Sequence, residues 1–181
     1  MFTKPAYENP TEEQKREAER WEPFYSKIDE VVVPNNARLL KAFRDKGMEV
    51  CFAKIQCQKR CGSDRSLDQK ATGYNELLLP PGDPSAEIVP ELAPLEDEIV
   101  VTKTTDSALT GTALRLWLYN MGIDTVVCTG VLTDQCVSGA VIGGWLAEAP
   151  YWFSVTGTGA AFIFITAFNY FIPIPTVVQR R

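Results

Sequence analysis

Few side chains in this sequence are of types that do covalent chemistry, and Cys136 stands out among them by its setting. It follows an apolar, β-branched run at residues 125–129, which fits a strand buried on both faces. Gly130 breaks that run, and Thr133, Asp134 and Gln135 form a short polar turn. Cys136 then opens a stretch rich in Val, Ala, Leu and Trp that suits a helix. Free N–H groups and the positive end of a helix dipole would support negative charge on a sulfur placed there. The plain alternative is a small residue buried at a strand–helix corner. Lys103 is the second candidate, closing another strand-like run at residues 98–103. By itself, a lysine at a strand end is most often a solvated charge. Histidine is absent from all 181 residues, which removes Ser-His-Asp and Cys-His catalysis and every histidine metal site. Cys51, Cys57 and Cys61 lack both a CxxC spacing and a histidine partner, so they point only weakly to metal or redox work.

The elements that must position these residues can be read along the chain. Thr11 and Gln14 make a capping box for a helix running to about Arg20, within a polar N-terminal arm at residues 1–30 that reads as surface helix or loose arm. Val32, Val33, Ala37, Leu39, Leu40 and Phe43 fall near helical spacing, with Pro34 early and Gly47 at the end. Residues 48–55 read as a strand, and residues 56–84 as a long polar connection, a length that marks functional or mobile loops. Residues 98–103 form the next strand. Residues 112–121 form a helix with Leu114, Trp117, Leu118 and Met121 on one face, and residues 124–129 form a third strand. Alternation with short crossovers implies parallel strands and right-handed connections. Such strands would bring Lys103 and Cys136 to the same carboxyl edge, where open α/β sheets bind ligands.

Composition bounds the rest. The length suits one domain with a real core. A formal net charge of −5 with no basic run argues against a nucleic-acid partner. Five cysteines, an odd number without framework spacing, fit a reducing cytoplasm, and the polar start does not read as a secretory signal. From residue 151 to 178 there is not one charge. That length could span a bilayer, but Gly157, Gly159, Asn169, Pro173 and Pro175 interrupt it. Membrane association, a rewritten buried end of the sheet, or a segment foreign to the fold are all open; a stable transmembrane helix is not expected.

The stretch GVLTDQCV, with VVTKTTDSALTGTAL upstream, resembles the isochorismatase-like cysteine hydrolases over roughly residues 31–146. The resemblance implies a three-layer α/β/α Rossmann-like domain with a parallel sheet of order 3-2-1-4-5-6, here occupying residues 31–150 and incomplete. It implies hydrolysis of a C–N bond in a small amide through a cysteine thioester, with Cys136 as nucleophile and Lys103 holding positive charge beside it. Backbone N–H groups of Leu132 and Cys136 would meet the oxyanion, and the Val131–Leu132 bond would be a non-proline cis peptide. Ser107, Leu109 and Thr133 fall at substrate-binding positions, Leu109 standing where the family carries an aromatic residue. The segment at residues 62–68, GSDRSLD, resembles loops of the amidohydrolase-like members. No cofactor or metal is implied, and a homo-oligomer is expected. The family's base, an aspartate ending the first strand, has no counterpart: Asp29, Asp106 and Asp134 fall elsewhere. The alternative reading is therefore a truncated, catalytically inactive member serving as a binding or oligomerising partner, with residues 151–181 a tail of unclear status.

Overall fold

The computed structural model describes residues 7–72, 77–140 and 152–155, with backbone alone for residues 133–134 and 152–155. The N-terminal region is helical for far longer than its polar sequence suggests. Helix α1 spans Glu12–Lys27, opened by the expected capping box: Gln14 N–H donates to Thr11 Oγ1 at 3.2 Å and Thr11 N–H to Gln14 Oε1 at 2.9 Å. The helix does not stop near Arg20; it passes through Pro23 and a π-helical turn at Ile28–Val32 into α2, Val33–Asp45. None of the α1 side chains is buried, whereas Ile28 and Val32 in the turn are. The chain is thus anchored at the junction, and Pro34, which lacks an N–H, falls at the start of α2 directly after the π-helical turn.

Strands β1 (Cys51–Ile55) and β2 (Ile99–Lys103) pair in parallel, from Cys51 opposite Ile99 to Ile55 opposite Lys103. Strand β3 (Thr125–Cys128) pairs in parallel with β4 (Trp152–Val155), from Thr125 opposite Trp152 to Cys128 opposite Val155. The expected α/β class with parallel strands and flanking helices is present, but the hydrogen bonding falls into two separate pairs, β1–β2 and β3–β4. In the order 3-2-1-4-5-6 these pairs flank the first position, and among the described residues no strand occupies it. One correction follows: strand β3 is not fully buried, since Thr125 is exposed and Val126, Val127 and Cys128 are half-buried, and among the described residues its edge away from β4 has no paired strand. Strand β4 was not foreseen within the uncharged run; the rest of that run lies outside the described residues.

One apolar cluster ties the two pairs together. Val101, Ala108, Leu109, Leu114 and Leu118 are buried in it, with Cys51 of β1, Ile99 of β2, Ile123 and Val126 of β3 packed against them. Leu114 and Leu118 come from helix α4, Leu114–Asn120. Spacing i, i+4 puts them on one stripe. The stripe is narrower than anticipated, since Trp117 and Met121 are 40% and 38% exposed. Between β1 and β2 the chain makes a short helix α3, Leu67–Lys70, and two 3₁₀ turns. Two ion pairs brace this half. Arg44 Nε and Nη2 donate to both oxygens of Glu98 at 2.7 Å, and Lys54 Nζ meets Glu87 at 2.8 Å.

Candidate active site

Strand β2 delivers Lys103 to the carboxyl edge of its pair. The residue is only 4% exposed, and its Nζ donates to Cys136 Sγ at 3.2 Å and to the Thr105 carbonyl at 3.0 Å. A buried ammonium needs such partners, and one of them is a sulfur some thirty residues downstream. Strand β3 delivers the other half. Gly130 has φ +128°, a conformation side-chain-bearing residues rarely adopt, and it turns the chain out of the strand. The Val131–Leu132 peptide follows and is cis. The Leu132 carbonyl then accepts from the N–H groups of Gln135 and Val137 at 3.3 and 3.1 Å, winding the π-helical turn Thr133–Val137 that carries Cys136.

The segment after Lys103 closes against this turn. A side-chain carbon on Gly139 would come within 3.3 Å of Asp106 Cβ and 3.4 Å of the Ser107 nitrogen, so glycine permits the close approach of the two loops. Ser107 is buried, and its Oγ accepts from the N–H and hydroxyl of Thr110 at 3.2 and 3.1 Å. Leu109 lies within the apolar cluster at 7% exposure. The side chains of Thr133 and Asp134 lie outside the described residues. Val131 and Leu132 are half-buried. Asp29 lies in the π-helical junction of α1 and α2, on its exposed side.

The other cysteines sit in different surroundings. Burial pushes the Cys128 thiol on β3 up to about 11. Burial, with Glu49 and Glu98 nearby, also raises Cys51. Cys61 is exposed and shifted downward, first by its hydrogen bond with the Ser63 side chain at 3.5 Å. Among the described residues no group of three or more Cys, Asp or Glu is arranged to hold a metal ion.

Two polar residues escaped sequence reasoning. The backbone N–H of Ser66 donates to the Thr104 carbonyl at 3.0 Å, directly beside Lys103, while its hydroxyl is buried without a partner. Gln69 is 1% exposed, with both amide atoms unpartnered. Their only signal was the polar length of residues 56–84 and the GSDRSLD segment.

Comparison with known proteins agrees with this architecture. The isochorismatase domain matches residues 21–146, more than half of the chain. N-carbamoylsarcosine amidase of an Arthrobacter species is 32% identical over 118 residues, covering 64% of this chain and 44% of the relative. Maleamate amidohydrolase of Pseudomonas putida is 30% identical over 121 residues, covering 66% and 56% respectively. The chain thus spans about half the length of these curated relatives. The crystal structure of an isochorismatase family protein from Desulfovibrio vulgaris superposes with a TM-score of 0.64 at 27% identity, covering 77% of this chain and 76% of that one. With the family model matched over residues 21–146 and an architecture of parallel strands and flanking helices, this chain belongs to the isochorismatase family.

Proposed function

We propose that the chain carries a cysteine-hydrolase centre for a C–N bond of a small amide, with Cys136 as nucleophile and Lys103 as the charge beside it. The observation that carries this reading is the 3.2 Å contact between the buried Lys103 ammonium and the Cys136 sulfur. The amidase and amidohydrolase relatives support an amide as substrate class. In the first step a C–S bond forms at the carbonyl carbon, the C–N bond breaks, and the thiol proton leaves on the departing nitrogen. Water then attacks the thioester, releasing the acid and restoring the thiol. Developing negative charge on the carbonyl oxygen would fall to the N–H groups of Leu132 and Cys136 at the turn. Lys103, in contact with the sulfur, favours each state with negative charge near it. Ser107, Leu109 and Thr133 complete the proposed site as residues around the substrate.

A second reading rests on a specific observation. Among the described residues the hydrogen bond given to the Cys136 sulfur comes from Lys103, and no carboxylate is hydrogen-bonded to it. A positioned general base typically contributes about 10²–10⁴-fold. A chain without one would bind amides and turn them over slowly, acting as a partner to other chains. Assay of purified protein on a panel of small amides, beside Cys136→Ser, separates the two. Turnover of order 1–10³ s⁻¹, lost in Cys136→Ser, supports the hydrolase; absent turnover, with small amides still bound, supports the second reading.

A further inference from the structure

We infer that Gln69, with Ser66, forms a recognition site for a second amide-type group on the ligand, so that the preferred substrate carries a carboxamide or ureide besides its scissile bond. This rests on the proposed amide site at Lys103 and Cys136. The location follows from backbone contacts. The Gln56 N–H donates to the Lys103 carbonyl at 3.1 Å and the Ser66 N–H to the Thr104 carbonyl at 3.0 Å, so the connection from β1 runs along the end of β2. Arg65 fastens its fold, donating to the carbonyls of Gly62, Gln69 and Leu77 at 3.1, 3.3 and 2.6 Å. Gly62, at φ +64°, leaves room for Leu78 and Arg65, which a side chain there would strike at 2.5 and 2.8 Å. Helix α3 is therefore held beyond the carboxyl ends of β1 and β2, the edge from which Lys103 reaches Cys136.

On that helix Gln69 is 1% exposed with neither Nε2 nor Oε1 partnered, and just before it the Ser66 hydroxyl is buried and unpartnered as well. A buried polar group left unpaired costs about 1–3 kcal/mol, and a folded protein retains such groups where something else pairs with them. The chemistry of the orphaned atoms selects the class. A carboxylate could accept from Nε2 but would leave Oε1 unmatched and facing negative charge. An amide or ureide both donates and accepts, and pairs with the two atoms together.

The test is a binding titration of malonamide followed by NMR on the full chain carrying Cys136→Ala, so that turnover plays no part. Malonamide should bind in preference to malonate. Adding Gln69→Leu should weaken malonamide about 10-fold, on the order of one lost pair of hydrogen bonds, and Ser66→Ala should weaken it less. The thermal midpoint of Gln69→Leu should hold or rise, since two orphaned atoms are removed. Equal affinity in Gln69→Leu and its parent, preference for malonate, or absence of malonamide binding each overturns the inference. A fallen midpoint with affinity unchanged also overturns it, since Gln69 would then be structural; Gln69→Met repeats the comparison should the leucine variant fail to fold. Cys136 in the unaltered chain that alkylates no faster than Cys128 would instead defeat the hydrolase reading, a result independent of this titration.

Discussion

The two strand pairs meet at one edge but hold their functional residue in different ways. Strand β2 ends in a residue pinned from several directions: Lys103 is buried, its carbonyl accepts from Gln56, and its ammonium spans Thr105 and Cys136. Its pair is braced by Arg44–Glu98 and Lys54–Glu87. Strand β3 ends in a turn held, among the described residues, by its own backbone through Gly130 and the Leu132 carbonyl and by a link to α2 where Thr129 Oγ1 donates to Asn36 Oδ1 at 2.5 Å. One half supplies a fixed charge and the other a sulfur on a turn. Position relative to the strand end decides what a cysteine can do: Cys128, in β3, has its thiol pushed up to about 11 by burial, while Cys136, past the turn, faces an ammonium.

The comparison breaks first if the two halves do not share a core. Leu118 lies in the cluster on which both Val101 of β2 and Val126 of β3 pack. Leu118→Ala should destabilise the protein by about 2–5 kcal/mol, the usual cost of such a truncation in a core. Chemical denaturation should show one transition by fluorescence and by circular dichroism in both proteins. Separate transitions would make the halves independent units, and the edge they form an accident of placement.

Much of this arrangement was legible in the sequence, for reasons that differ by residue. Thr11 and Gln14 announce α1 because a capping box is local chemistry, but the extent of α1 was missed because Pro23 and the polar face masked a helix anchored further on, at Ile28 and Val32. Strands β1 to β3 were found as short apolar runs between turn signals, β-branched most clearly in β3. Strand β4 was not singled out because its four residues open a long uncharged run that left a rewritten end of the sheet as one of several readings, although Trp152, Phe153 and Val155 are good strand formers. No run of residues announces the division into two pairs, since pairing depends on what lies beside a strand, but it fits the incomplete sheet that the resemblance implied, with the first position of the order 3-2-1-4-5-6 unmatched. Lys103 and Cys136 could be placed together because parallel strands share a carboxyl edge. Gln69 could not, because the burial of a polar loop residue is a tertiary property.

The second test sharpens the contrast between the cysteines. Lys103→Met keeps most of the stem while removing the charge that faces the sulfur. Iodoacetamide labelling of Cys136 near neutral pH should slow about 10-fold or more, in line with about 1.5–3 kcal/mol for a hydrogen bond from a charged group. Lys103→Arg should retain part of the rate. Peptide mapping of the parent chain should find Cys61 and Cys136 ahead of Cys51 and Cys128, Cys61 because it is exposed and its thiol is shifted downward. Cys128 should label appreciably only as pH climbs toward its raised value of about 11, where its thiolate appears. Rates for Cys136 that are equal with and without the Lys103 charge would place the lysine's influence elsewhere.

The smallest effect belongs to the brace at the far end of β2. Glu98 is held below its ordinary carboxyl value chiefly by hydrogen bonds from Arg44, with burial opposing and the Leu95 N–H, at 2.8 Å, assisting. A carboxyl whose folded value lies below its unfolded one stabilises the fold in full above the unfolded value, about 4.3 for glutamate. That contribution is lost as pH falls through the folded value. Glu98→Gln should therefore lower stability by about 1 kcal/mol at pH 7, with the gap to the parent chain closing as both are titrated below about pH 4. Urea denaturation at several pH values reads this directly, and an unchanged gap at pH 3 would show that Glu98 acts by shape and not by charge. Because Glu98 stands just before β2 and Lys103 at its other end, Cys136 labelling should be the same in both proteins. A slower Cys136 in Glu98→Gln would mean that the charge at the site depends on the whole β1–β2 half being held, and that the rigidity of Lys103 is set at the opposite end of its strand.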